Sequence, residues 1–421
     1  MKSIQLLFLS LFLALCGHPV ARAASAGASS SSGTVDTRGA MNVTFSQRTD
    51  GSKLVDIRYD LFGGTSSVAV AVSYDGGATY NAVASVTGAV GAGVTPGTGK
   101  QIVWNAGVDF ASNGSSNVKV RVTALLDGAG GTFAPIPAGS YQIGNAMAAD
   151  TDITDAPVTS VSLSGYYLSV NDTTKAQWDA VRTWGLSNGY TDLAAGVGKA
   201  SNHPVQTVTW YDVVKWANAA SEKEGLTPCY KVSGSVYRTG NSDAVVCDWS
   251  ANGYRLPTEA EWEVAARGGR SGKRFPWGDT ITHSQANYYS DSGYAYDVSP
   301  TRGFHPTYGT GDLPYTSPVG SFAANGYGLK DMAGNVFQWC WDWYGTYSGG
   351  NDPKGSAAGS SRVLRGGYWS GDAGDARCAQ RFSGTPSDAF DDYGFRLARG
   401  RSSGAGSWTE SSGGVVDTTP P

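Results

Sequence analysis

The run "GYRLPTEAEWEVAARGG", Gly253–Gly269, carries a complete set of helix signals. Thr258 stands at the N-cap position and Glu261 follows three residues later, which is the spacing of a capping box. Pro257 precedes the cap, where its missing backbone N–H is harmless. Gly268 follows the last helical residue, as glycine often does at a helix C-terminus. The run therefore predicts a short helix with at least one apolar face, bounded by turns.

Two other runs in the same half of the chain show the same pattern. Thr174 with Gln177 forms a second capping box, in "NDTTKAQWDAV". In "TVTWYDVVKWANAASEKEG", Thr209 caps a third helix, Asp212 favours its positive end, and Gly225 stops it. Only three capped helices are predicted here, so most of this region consists of short strands and loops.

The preceding region, residues 41–127, has a different periodicity. Segments such as "LVDIRYDLF" and "NVKVRVTALL" alternate apolar and polar residues and are separated by Gly, Asn and Asp clusters. Several short strands without helices predict an all-β sandwich of immunoglobulin or fibronectin type. Residues 128–132 are glycine-rich and predict a linker to the next domain.

The first residues of the chain have the pattern of a targeting signal. Lys2 is followed by an almost wholly apolar run, Ile4–Cys16, and "ARA" at 21–23 offers a cleavage site. The apolar run is too short to predict a stable membrane span. We therefore expect a signal peptide at residues 1–23 and a secreted, periplasmic or cell-surface protein.

Composition limits the remaining possibilities. The 421 residues carry a net charge of −4. This charge does not suggest nucleic-acid binding, which is typical of basic proteins. There are 58 glycines, 13 tryptophans and 22 tyrosines, a mixture typical of a loop-rich fold filled by aromatic side chains. Residues 24–40 are rich in Ala, Ser and Gly and predict a flexible leader, and residues 401–421 predict a disordered tail.

Four motifs together carry a resemblance to a known family. They are Gly253–Gly269, "GLKDMAGNVFQW" at 328–339, "RVLRGGYWS" at 362–370 and "YGFRLAR" at 393–399. This set resembles the formylglycine-generating enzyme, or sulfatase-modifying factor, family over residues 133–400. The resemblance implies an α+β C-type-lectin-like fold of short twisted strands, two main helices and long ordered loops.

The chain departs from that family where the resemblance places the chemistry. Active members hold copper(I) with two cysteines that follow the Gly-Gly pair, because thiolates suit a soft metal. Here the pair is Gly366–Gly367, the first cysteine position holds Gly371, and the loop is shorter and contains no cysteine. We therefore expect no copper and assign no catalytic residue. The resulting prediction is a non-catalytic binding scaffold; the alternative is an oxidase that modifies a sulfatase cysteine, or another metal-dependent modifying enzyme.

The resemblance also implies a calcium site. The family binds calcium within the run that corresponds here to Asp331, Gly334, Val336 and Gln338, and oxygen ligands around a tight turn suit this hard cation. Gln338 replaces the family's glutamate, which weakens the charge match and leaves a calcium-free, hydrogen-bonded turn as the alternative.

Four cysteines remain after the predicted signal is removed: Cys229, Cys247, Cys340 and Cys378. An even number in an exported chain favours disulfides. Cys229 and Cys247 flank one short insertion, so we predict that they pair. Cys340 and Cys378 would be a second pair or two free thiols, and the sequence does not choose between the three connectivities.

The region between the last two motifs suggests a recognition surface. It is rich in Tyr, Ser, Gly, Asp and Phe, residues that suit adaptable binding loops, and it resembles the variable region of retroelement-diversified lectin-fold proteins. Ordinary drift of a glycine-rich loop explains this composition as well. We predict that a protein or glycan ligand contacts an aromatic surface here, formed by Tyr368, Trp369, Phe382, Phe390 and Tyr393.

Overall fold

A computed structural model describes residues 39–400, with gaps at 63–65, 77–79, 111–114 and 129–130, and also residues 409–410 and 414–416. The predicted signal peptide and most of the predicted leader lie outside these residues. Within the described ranges, no helix is long and apolar enough to cross a membrane.

The N-terminal part consists almost entirely of strands. Its elements are β1 Gly39–Gln47, β2 Leu54–Phe62, β3 Ser66–Ser73, β4 Asn81–Ala82, β5 Val86–Gly88, β6 Gly91–Val94, β7 Gly97–Asn105, a short helix α1 Ala106–Asp109, and β8 Ser115–Gly128. One antiparallel sheet has the order β1-β2-β7-β5, and β3 pairs with β4, β6 and β8 in a second sheet.

Alternating apolar residues from both sheets form one core. Val55, Ile57, Val70, Trp104 and Val120 are among its fully or almost fully buried members. The period-2 pattern predicted this arrangement because successive side chains of a strand point to opposite faces. This part thus has two sheets that share one apolar core, and its assignment to a sandwich of immunoglobulin or fibronectin type stays a prediction.

The C-terminal part mixes short strands, three helices and long loops. Its elements are β9 Gly131–Ile136, β10 Gly139–Ile143, β11 Thr159–Leu163, β12 Tyr166–Ser169, α2 Lys175–Leu186, α3 Trp210–Lys223, β13 Tyr230–Val232, β14 Ser235–Val236, β15 Val246–Cys247, β16 Tyr254–Arg255, α4 Glu259–Arg267, β17 Phe337–Trp343, β18 Gly350–Asn351, β19 Arg362–Arg365, β20 Phe382–Gly384, β21 Tyr393–Gly394, β22 Ala398–Gly400, β23 Thr409–Glu410 and β24 Gly414–Val416.

The predicted linker at 128–132 is not a free spacer. β8 and β9 pair as an antiparallel hairpin, with Gly128 opposite Gly131 and Leu126 opposite Phe133. β9 then pairs with β12, which pairs with β22, so one sheet continues from the sandwich into the C-terminal part. Gly128 and Gly131 thus lie in paired backbone, which the glycine-rich composition of the predicted linker does not reveal.

The three predicted helix starts are confirmed. Thr174, Thr209 and Thr258 each cap their helix, and each forms a capping box with the residue three positions later. α4 ends at Gly268, which adopts a left-handed conformation with φ of 56°. The sequence predicted at least one buried apolar face for α4. The structure buries more than that, because all nine residues of the helix are buried.

The predicted disordered tail is partly ordered. β23 and β24 both pair with β8, and the remaining residues of 401–421 lie outside the described ranges. The prediction is therefore wrong for residues 409–410 and 414–416.

Candidate binding surface

The loop after the glycine pair starts from a tight turn. Gly366 and Gly367 follow β19 with φ of 100° and 75°, values that favour glycine. A Cβ on Gly367 would lie 3.0 Å from the backbone nitrogen of Ala376, so the two ends of the loop pass close together. The Trp369 N–H donates to Asn335 O at 2.9 Å and the Tyr289 N–H donates to Gly371 O at 2.8 Å, which ties the loop to its neighbours.

Gly371 occupies the position at which the resemblance places the first copper cysteine, and this position is crowded. A Cβ on Gly371 would lie 2.6 Å from Asp375 Oδ2 and 2.6 Å from Tyr368 Cε1. Both distances are shorter than non-bonded contacts allow, so the side chains of Tyr368 and Asp375 fill the space that a residue with a Cβ would need.

Four predicted surface residues cluster around one buried ring. Phe337 lies at centroid distances of 4.7 Å from both Tyr368 and Phe382, and 6.1 Å from Tyr393. Phe390 adds an edge contact to Tyr393 at 5.1 Å and is 54% exposed, whereas the other three are half-buried. We call Tyr368, Phe382, Phe390 and Tyr393 the aromatic surface. Phe337 was missed in the sequence because it lies inside a strand motif rather than in the loop.

Trp369 was predicted to belong to this surface, and that prediction is wrong. Its side chain is only 6% exposed and packs against Tyr315 and Phe304, at 5.4 and 5.9 Å. Neighbouring residues in an irregular loop need not face the same way, and Trp369 turns inward where Tyr368 turns outward.

The accessible charges in segment 368–393 are all acidic. They are Asp372, Asp375, Asp388, Asp391 and Asp392. The two arginines of the segment are buried: Arg377 donates to Asp152 at 3.0 Å and Arg381 to Glu259 at 2.7 Å.

Burial raises the pKa of two of these carboxyl groups. Burial, together with the neighbouring Asp372, raises the pKa of Asp375 to about 7. Burial also raises the pKa of Asp392 to about 6, and Asp392 Oδ1 has no hydrogen-bond partner among the described residues. Both groups are therefore poised to accept a proton or a positively charged donor.

Cys340 and Cys378 are shielded from solvent and are not bonded to each other. Both are buried in the same apolar cluster and both are free thiols. Burial raises the pKa of Cys378 to about 12 and that of Cys340 well above its usual value. As metal-free thiols, both therefore stay protonated at neutral pH.

Cys229 and Cys247 are neighbours and are free thiols in this structure, so the disulfide between them stays a prediction. They lie on adjacent segments: β13 begins at Tyr230, which pairs with Cys247. A hydrogen bond from the Cys247 thiol lowers the pKa of Cys229, and nearby Arg255 acts in the same direction. The pair is thus placed for oxidation although the structure holds its reduced form.

The residues predicted to bind calcium do not fit that ion as a set. Asp331 fits in part, because its Oδ1 is buried without a described hydrogen-bond partner. Gln338 does not fit: its Oε1 accepts from Trp262 Nε1 and from Arg396 Nε, each at 2.6 Å, and its Nε2 donates to Asp331 O at 2.9 Å. The Gln338 atom nearest Asp331 is therefore a nitrogen donor. No group of three or more His, Cys, Asp or Glu side chains suited to a metal occurs in the described part of the chain.

Comparison with known proteins identifies the family. The family model for the sulfatase-modifying factor enzyme 1-like domain matches residues 129–401, which is more than half of the chain. The chain belongs to this family. The match begins at the β8–β9 hairpin and ends just after β22, so it covers the C-terminal part through β22 and excludes the sandwich.

Individual family relatives agree with this assignment. The formylglycine-generating enzyme of Mus musculus is 30% identical over 286 residues, covering 63% of this chain and 74% of that protein. The serine/threonine-protein kinase pkn1 of Chlamydia caviae is 43% identical over 154 residues, or 35% of this chain. The chain spans only 21% of the length of that kinase.

One solved structure supports the fold. Treponema denticola variable protein 1 superposes with a TM-score of 0.50 at 31% identity, covering 64% of this chain and 94% of that one. The sulfatase-modifying factor fold predicted for the C-terminal part is therefore confirmed.

Proposed function

We propose that this protein is a non-catalytic, exported member of the sulfatase-modifying factor family that binds a partner through the aromatic surface. The observation that carries the proposal is the crowded Gly371. The position lacks sulfur, and Tyr368 and Asp375 already fill the space beside it. A loop built in this way supports recognition better than copper chemistry.

The charges around the aromatic surface favour a positively charged partner. Five aspartates lie in segment 368–393, while Arg377 and Arg381 are buried and paired. Exposed aromatic faces attract lysine and arginine side chains, and carboxylates strengthen that attraction. We propose that the partner is a protein segment rich in lysine or arginine.

The likeness to Treponema denticola variable protein 1 supports a recognition role for this face. That protein is called variable, and it shares the fold over 94% of its length. Segment 368–393 contains β20, which pairs with β19, and ends at β21, which pairs with β17, so its loops can vary while these strand pairs keep the framework constant.

A direct binding measurement tests the proposal. Fluorescence anisotropy of labelled arginine- and lysine-rich peptides should show saturable binding, whereas glutamate-rich peptides and neutral oligosaccharides should not bind. Phe390→Ala should weaken binding at least several-fold, because Phe390 is the most exposed ring of the surface. Val108→Ala, an exposed apolar residue of the sandwich, is the matched control and should have no effect. Binding of oligosaccharides instead, or equal binding by Phe390→Ala, would overturn the proposal.

A further inference from the structure

Gln338 has an unusually complete set of hydrogen bonds for a buried side chain. It lies in β17 with no solvent exposure. Two donors, Trp262 Nε1 and Arg396 Nε, each approach its Oε1 at 2.6 Å. Its Nε2 donates to the main-chain oxygen of Asp331, at 2.9 Å. The contacts fix the orientation of the amide, because the two donors face the oxygen and the acceptor faces the nitrogen.

Arg396 places a permanent positive charge at the same turn. Its Nη2 lies 3.1 Å from Asp331 O, 2.8 Å from Lys330 O and 3.2 Å from Asp172 Oδ1. The guanidinium is fully buried, so solvent screens its charge poorly. Arg396 donates to Asp331 O, so this carbonyl is already hydrogen-bonded without a metal ion.

We propose that the Gln338 amide replaces a calcium ion in the turn 331–338, so that this turn folds without metal. A glutamate at position 338 would direct an oxygen toward Asp331 O, and two oxygens facing each other need a cation between them. The amide directs an N–H there instead, which satisfies the carbonyl directly. A single change from carboxylate to amide thus removes both the negative charge and the need for the ion.

The Asp331 carboxyl is consistent with this arrangement. Its Oδ2 accepts from the Gly320 N–H at 2.5 Å. The main chain therefore satisfies this oxygen without a metal ion. Asp331 has a left-handed backbone, with φ of 54°, and its carbonyl accepts from Gln338 Nε2 and Arg396 Nη2.

The test compares the wild-type chain with Gln338→Glu in calcium and in EDTA. The melting temperature of the wild-type protein should be the same in both. Gln338→Glu should melt at a lower temperature in EDTA, and calcium should restore about 2–4 °C or more. An equal response of both proteins to calcium would contradict the proposal.

Isothermal titration with calcium provides the second measurement, which does not depend on the folding of the variant. Stoichiometric binding by the wild-type protein that disappears in Asp331→Asn would overturn the proposal. No binding, or binding that persists unchanged in Asp331→Asn and therefore lies elsewhere, would support it.

Discussion

Gly371 limits what the loop after the glycine pair can do. Restoring a cysteine there would force Tyr368 and Asp375 to move, since a Cβ at this position would lie 2.6 Å from each. We predict that Gly371→Cys lowers the free energy of unfolding by about 1–3 kcal/mol, as overpacked sites do. Ser370→Cys, one residue earlier and half-buried, should change it by less than about 0.5 kcal/mol. Urea unfolding of both variants checks this, and equal stabilities would contradict the steric argument.

Asp375 should make stability depend on pH. Its pKa is about 7 in the folded protein, above the ordinary value of 3.8 expected in the unfolded chain. The folded state then holds the proton more tightly, so its stability falls as the pH rises from about 4 to about 7. Asp375→Asn cannot ionise and should raise the melting temperature at pH 8 but not at pH 4. The exposed Asp391→Asn serves as the control, and an Asp375→Asn effect of equal size at both pH values would contradict the prediction.

The reduced pair Cys229 and Cys247 should form a disulfide when the protein is oxidised. Their thiols already share a hydrogen bond, and the lowered pKa of Cys229 increases its thiolate fraction. Closing this loop should stabilise the protein by about 3 kcal/mol in the chain-entropy model. Non-reducing peptide mapping after mild oxidation should recover the two residues in one linked peptide. Recovery of both as alkylated thiols would show that the predicted bond does not form.

Helix α4 shows how buried charges hold the family framework together. Glu263 accepts from Arg267 at 2.7 Å, from Arg365 and from Tyr347, and it is fully buried. Glu261 forms a two-point ion pair with Arg255, with both distances at 2.6 Å. These pairs connect α4 with β16 and β19, so the helix ties together strands that are distant in sequence.

Removing one charged side chain of this network should lower the free energy of unfolding. Glu263→Gln removes the carboxylate that pairs with the buried Arg267 and leaves Arg365 only the more distant Glu259 carboxylate, at 3.5 Å. We predict a loss of about 3–5 kcal/mol. Asp179→Asn removes the exposed partner of Lys175 on α2 and should cost less than about 1 kcal/mol. Denaturant unfolding measures the free energy of unfolding of both variants. A loss below 1 kcal/mol for Glu263→Gln would contradict the prediction.

Elements with local signals could be predicted, whereas elements that depend on distant partners could not. Thr174, Thr209 and Thr258 were identified as caps because capping involves residues three positions apart. The burial of α4 was missed because its glutamates pair with arginines up to 122 positions away, as in the Glu259–Arg381 contact. Trp369 was assigned to the surface for the same reason: the Tyr315 and Phe304 rings that cover it come from another loop.

At the scale of the whole molecule, the β8–β9 hairpin joins the sandwich and the family domain into one sheet. We predict a single cooperative thermal transition, because separating the two parts would break main-chain pairing on both sides of the hairpin. Gly131→Pro should split it into two, since proline cannot adopt the φ of 99° at this position and lacks the N–H. Scanning calorimetry of the wild-type protein and Gly131→Pro shows the number of transitions in each. Two transitions in the wild-type protein would contradict a continuous sheet.

The chain matches its family over residues 129–401, while the loop at which the resemblance places the copper cysteines holds Gly371, Asp372 and Asp375. The most direct test of the account is a turnover assay. The purified chain would be loaded with copper under air, mixed with a sulfatase-derived cysteine peptide, and the peptide followed by mass spectrometry, with an active formylglycine-generating enzyme as the control. We predict that the cysteine remains unchanged with this protein and is converted by the control. Oxygen-dependent conversion to formylglycine by this protein would contradict the central claim.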